Sequence, residues 1–276
     1  MKQYALRLMY LLAIVPISTL FAQDNEKSEH YNLKLAFEFG TNEAGCKFVG
    51  HERIRKDNKA FNELFSNRRY SLVTTYFGVK PEFFIMNNRL GFASGLRFTT
   101  AKSELVAGME SFLWKAKEDG INTSYYRLNK VSQKSYLFSV PFEMRYFLNN
   151  RELPFQTYVK IGASLNYRIN SVNYVDFVNA TIEMHKDLVK NQLSDKAGYE
   201  SDFSSFVFAA FGFKIGKFKE GSRVPWVNFE LKLPYILLTE KSFNFVDRYN
   251  GNGFPGIGIQ LSFQIPIGHN MPIGLN

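Results

Sequence analysis

Apolar and polar positions alternate with a period of two through most of this chain, most clearly over residues 136–169. Tyr136, Phe138, Val140, Phe142, Met144 and Tyr146 fall on one side of that stretch, with Ser139, Pro141, Glu143 and Arg145 on the other. After a polar turn at 149–154, Val159, Ile161, Ala163, Leu165, Tyr167 and Ile169 alternate with Tyr158, Lys160, Gly162, Ser164, Asn166 and Arg168. Successive side chains of a strand point to opposite faces, so this pattern predicts two antiparallel strands joined as a hairpin. Each run exceeds ten residues, about twice the usual 5–6 of a globular strand.

The same alternation predicts six more strands, over 31–39, 70–86, 90–100, 203–215, 224–237 and 254–267. Their connections alternate in length. Residues 41–69, 101–130 and 170–202 form long polar stretches, 87–89, 149–154 and 217–223 short turns, and 238–253 a loop of medium length. Short turns at one end and long loops at the other are the pattern of an outer-membrane barrel. The predicted fold is all-β: an eight-stranded antiparallel up-and-down transmembrane β-barrel over 31–267, with long outer loops, short periplasmic turns and both chain ends on the periplasmic side.

Bulk decides which face points inward. An eight-stranded barrel is just wide enough inside for side chains to fill. The face rich in Phe, Tyr, Leu, Ile and Val is too bulky for that space. Gly78, Gly91, Gly95, Gly162, Gly212, Gly256 and Gly258 all fall on the other face, which is therefore the interior. The outer face is expected to include Val227, Phe229, Leu231, Leu233 and Tyr235 of the seventh strand. The inner face collects Lys34, Glu38, Lys80, Glu82, Arg97, Glu143, Arg145, Lys160, Arg168, Lys214, Glu230 and Lys232. Enclosed charges must pair or stay hydrated, so these twelve are expected to form a structural salt-bridge network that fills the lumen. Pro81, Pro141, Pro234 and Pro266 each remove a ladder hydrogen bond from a predicted strand, and bulges or strand ends are expected there.

The N-terminus supplies an address. Residues 1–22 have a basic start at Lys2 and Arg7, an apolar run at 8–21 interrupted by Pro16, and Ala22 before Gln23. That is a secretory signal peptide, with cleavage expected after Ala22. Residues 23–30 then form a periplasmic N-terminal segment and 268–276 a C-terminal tail. No later run reaches the roughly 18 apolar residues of a spanning helix. Without Lys2 and Arg7 the chain is near +7. No nucleic-acid motif accompanies that charge, so for an exported protein it points to anionic lipid or surface polysaccharide. The expected partners are outer-membrane lipid and a protein or polysaccharide at the outer loops. Cys46 is the single cysteine, so an intrachain disulfide is excluded; it reads as an unpaired loop thiol.

Little in the chain suggests catalysis. His30, His51, His185 and His269 have no metal-ligand spacing, and no cofactor is implied. The one hydrolase constellation places His51 or His185 near Glu52 or Asp187 on the outer rim. The chain is otherwise read as a non-enzyme. Two outer stretches have near-helical apolar spacing: Ile54, Phe61, Leu64 and Phe65, and Val178, Ile182, Val189 and Leu193. Such turns serve either to bind a partner or to cap the barrel mouth.

The hairpin also resembles the PorT-like outer-membrane β-barrel family. The resemblance rests on Tyr136-Leu137, Val140-Pro141, Arg145-Tyr146, and Tyr158-Val159-Lys160 with Gly162, Ser164 and Tyr167; residues 77–81 agree with it. It implies a signal-bearing outer-membrane barrel of mostly unassigned function, a few members of which assist protein secretion. This chain departs from a frequent outer-membrane pattern by ending on Asn276 rather than an aromatic residue. Three functions are therefore expected as alternatives: a platform acting through its loops, an accessory component of a secretion system, or a rim-located lipid or peptide hydrolase.

Overall fold

The computed structural model describes residues 32–49, 54, 69–85, 89–107, 111–117, 123–149, 154–194, 201–216 and 226–266. Their strands are β1 (Asn32–Ala44), β2 (Lys47–Phe48), β3 (Arg69–Ile85), β4 (Leu90–Ser94), β5 (Leu96–Val106), β6 (Phe112–Lys117), β7 (Thr123–Phe147), β8 (Phe155–Phe177), β9 (Phe203–Ile215), β10 (Trp226–Leu237), β11 (Val246–Asp247) and β12 (Gly256–Pro266). The named strands all pair antiparallel, with one isolated parallel bridge between Gly45 and Ile236. β1 pairs with β3 on one side and β12 on the other, and the remaining neighbours run β3, β4 with β5, β7, β8, β9, β10, β12. Counting β4 and β5 as one interrupted strand, eight strands close a ring. The predicted strands of 31–267 account for all eight.

Side chains alternate between a buried interior and an exposed exterior around this ring. Phe39, Phe77, Leu96, Phe138, Ile161, Phe211, Phe229 and Phe263, one from each strand, stand exposed on the outside. Tyr235 departs from the expected pattern. The β9–β10 register shifts between Lys232 and Tyr235, and this extra residue reverses the inward and outward parity of the residues after it. Tyr235 is therefore buried inside, stacked on Phe206 with ring centroids 5.1 Å apart.

The four prolines fall where the ladder tolerates them. Pro234 lies within that bulge and Pro266 ends β12. Pro81 and Pro141 share a different solution. Extending the register from the flanking pairs sets Pro81 level with Ser94 and Pro141 level with Gly95. β4 breaks from β5 at that point, so two residues without an N–H meet one interruption from opposite sides. Gly95 fits there because a Cβ would lie 2.3 Å from the Val79 carbonyl oxygen.

The long connections differ from the expected polar loops. β5 runs on to Val106, β6 occupies 112–117, β7 begins at Thr123, and β8 extends to Phe177. A 3₁₀ turn (Ala180–His185) and a helix, α1 (Lys186–Ser194), come next. This confirms helical structure within 176–195. Of the other near-helical stretch only Ile54 is described, in an isolated bridge with Trp114; the rest lies outside the described residues. These elements project beyond the ring and bury a core of their own, including Leu105, Phe112, Trp114, Leu128, Val175, Val189 and Phe245. They are strands because their apolar side has this second core to face, while their polar side meets solvent.

Trp114 is fully buried at the centre of that cap, its indole N–H donating to Gln192 Oε1 at 3.3 Å. Trp114→Ala is expected to cost the cap about 3–5 kcal/mol and leave the ring closed. Limited proteolysis will then cut within 101–130 and 170–200, while the strands of the ring stay protected.

Candidate functional site

The interior of the ring is layered. At the short-turn end Phe84, Phe147 and Tyr158 pack together, and Lys214 lies 3.2 Å from the centre of the Trp226 ring, with Lys34 against the same indole. At the long-loop end Phe206, Phe208, Tyr235, Leu237, Phe243 and Val246 form an apolar layer. Phe243 and Val246 come from the connection between β10 and β12, which folds inward and pairs β11 with β2.

Ion pairs occupy the middle. Arg97 bridges Glu38 and Glu143, and Lys80 bridges the same two carboxylates, with Lys80 Nζ 2.7 Å from Glu38 Oε2. Lys160 Nζ lies 2.9 Å from Glu143 and also contacts Glu230. Arg145 joins Glu230 to Glu82, each at 3.2 Å. Tyr158 donates to Glu230 at 2.8 Å and Gln264 donates to Glu82. Because alternate residues of neighbouring strands point inward at one level, six strands contribute charged groups to one connected network, and Gln264 adds β12.

All twelve of the charged residues expected inside are buried. Ion pairs link Glu38, Lys80, Glu82, Arg97, Glu143, Arg145, Lys160 and Glu230. The other four are cations with aromatic faces and neutral oxygens among their contacts, and Arg168 also pairs with Asp202 at 3.9 Å. Lys34 and Lys214 flank Trp226, and Lys232 donates to the Tyr76 hydroxyl while lying 4.5 Å from the Phe208 ring centre. Arg168 donates to the Ser242 carbonyl and stands 5.8 Å from Phe243. A desolvated cation over an aromatic ring gains roughly 2 kcal/mol, which offsets part of the burial cost of these charges. The aromatic partners were not singled out from the chain, although Tyr76, Tyr158 and Trp226 share the inward parity of the charges.

Of the rim constellation only His185 and Asp187 are described, and each has another partner. The His185 ring stacks on Tyr126 with centroids 4.9 Å apart, and Asp187 pairs with Lys190 at 3.7 Å. His30, His51, Glu52 and His269 lie outside the described residues. Among the described residues no three His, Cys, Asp or Glu side chains converge as metal ligands.

No protein-family model matches the chain, and no curated protein does. Among solved structures, the transport unit of the autotransporter AIDA-I from Escherichia coli is 9% identical, with 95% of this chain and 97% of that one covered, at a TM-score of 0.24. The translocator domain of the autotransporter NalP from Neisseria meningitidis is 8% identical over 85% and 88% of the two chains, also at 0.24. These likenesses are long but superpose poorly.

The network makes a sharp energetic expectation. Glu143 serves Lys80, Arg97 and Lys160 together, so Glu143→Gln is expected to cost about 3–5 kcal/mol by leaving buried cations short of a counter-charge. Glu183→Gln, at an exposed surface pair with Lys186, should move stability by less than about 1 kcal/mol. Urea titrations of the folded protein, followed by tryptophan fluorescence, measure both.

Cys46 lies just past the end of β1, and burial pushes its thiol up to about 12, with the Glu43 carboxylate adding to the shift. A folded-state value above the ordinary 9.0 means that the neutral thiol stabilises the fold below about pH 9 and that this contribution fades as pH rises toward 12. Alkylation at pH 8 should therefore be slow in the folded protein and fast after heating in denaturant. Equal rates in both states would contradict the burial.

Proposed function

We propose that the chain is an outer-membrane protein: an eight-stranded transmembrane β-barrel whose filled lumen makes it a structural or binding platform rather than a pore. The observation that carries this reading is the apolar outer surface. Phe39 and Phe77 are 57% and 61% exposed, and large apolar side chains stand outward on every strand of the ring. Soluble proteins rarely expose contiguous apolar patches beyond a few hundred Å², whereas a bilayer requires such a belt.

Its height fits as well. On β7 the outward run from Tyr136 to Tyr146 covers roughly 33 Å at about 3.3 Å per residue. At the roughly 40° tilt usual for such barrels it stands about 25 Å tall, the height of the apolar band in outer-membrane barrels. Tyr146 and Phe155 then lie at the periplasmic boundary and Tyr136 at the outer one. The secretory leader read at 1–22, outside the described residues, supports the same address, as does the resemblance to the PorT-like family.

The platform reading comes from the two ends of the interior. Apolar layers close it above and below the ion pairs, and the cap built on β5 to β8 offers an ordered surface on the outer side for a protein or polysaccharide. Fractionation of cells expressing the full chain should recover it in outer membranes, with a band that shifts in mobility on heating. Planar bilayers containing it should show no porin-like conductance. Recovery as a soluble periplasmic protein would sink the barrel reading; large steady conductance would sink the filled-lumen reading alone.

A further inference from the structure

We infer that the outward face of β5 and β7 carries a seat for the phosphate of an anionic lipid in the outer leaflet, formed by Lys102 and Lys134. The inference rests on the membrane reading above.

The register puts Lys102 directly opposite Lys134. Side chains so paired have Cβ atoms about 4.5–5.5 Å apart, and like charges in that relation destabilise a sheet. The acids nearby relieve it only in part. Glu104 lies 2.6 Å from Lys102 Nζ but also 3.0 Å from Lys130 Nζ. Asp176 is the cross-strand partner of Lys130, not of Lys134. Lys134 faces Val172 on its other side, and its ammonium stands 5.3 Å from the Tyr136 ring. Lys102 and Lys130 therefore share Glu104, and an additional anion between Lys102 and Lys134 would relieve the repulsion between those two.

Position says where that anion comes from. Thr100 pairs with Tyr136, and the next outward pair toward the turn end is Phe98 with Phe138. Lys102 and Lys134 lie two residues beyond the tyrosine, roughly 7 Å along the strand. Their stems can follow the apolar surface while the ammonium groups reach headgroup depth. A phosphate held there, with its acyl chains lying down the face of Phe98 and Phe138, satisfies the charge and the belt together. Inorganic phosphate would satisfy only the first.

The test uses the full chain refolded into phosphatidylcholine vesicles containing a minor fraction of phosphatidylglycerol, extracted in mild detergent, with retained lipids counted by native mass spectrometry. The wild type should retain phosphatidylglycerol above its bulk fraction. Lys102→Gln and Lys134→Gln should each reduce that enrichment roughly five-fold, whereas Lys186→Gln with Lys190→Gln on α1 should leave it unchanged. In pure phosphatidylcholine, Lys134→Gln should not lower the temperature of the gel-mobility shift, because it removes a repulsion. Unchanged enrichment in the Lys102→Gln, Lys134→Gln double variant overturns the inference, as does displacement of the lipid by millimolar inorganic phosphate. Failure of the wild type to insert, seen as no heat-shifted band, overturns the barrel reading along with it.

Discussion

The need to neutralise charge inside a closed ring governs this structure. Among the described residues, eight cations and four carboxylates of the strands' inward face are buried there, and an isolated charge in such surroundings costs several kcal/mol. The strands can sit together only in a register that brings Glu38, Lys80, Arg97 and Glu143 to one level and Lys160, Glu230, Arg145 and Glu82 beside it. A slip of one residue on any of these strands would turn its charged side chains outward into the apolar belt. Replacing such pairs by hydrophobic groups often costs nothing in stability elsewhere. What the pairs supply here is therefore chiefly the choice of one register among several.

The four cations in excess of the carboxylates explain the aromatic lining. Trp226 lies between two lysines, and Tyr76 meets both Arg97 and Lys232. The ring faces supply negative electrostatic potential without adding further ions that would themselves need partners. The same side chains fill the volume that charged groups alone would leave open.

How far this could be read from the chain depended on whether local parity was enough. The twelve inward charges were legible because alternation holds within each strand regardless of what the strand packs against. Tyr235 was not, since a single extra residue at 233–234 leaves no trace in the apolar pattern yet reverses it. The break at Ser94–Gly95 was likewise hidden, because Pro81 and Pro141 become neighbours of one gap only after the strands are aligned. The strands of the cap read as polar loops because just one side of each is apolar, and its counterpart lies far along the chain: Trp114 needs Val189, Leu193 and Phe245. Tertiary burial, absent from any local window, made them strands.

The ring is sealed between β1 and β12, which pair from Lys34 with Pro266 to Ala44 with Gly256. The first and last strands of the ring are thus the two sides of a single seam. Without β12 the sheet has two open edges, and Tyr76 and Glu82 lack the hydrogen bonds that Gln260 and Gln264 supply. The β1–β12 seam therefore joins the two ends of the strand order, and the ring closes only where its first and last strands meet.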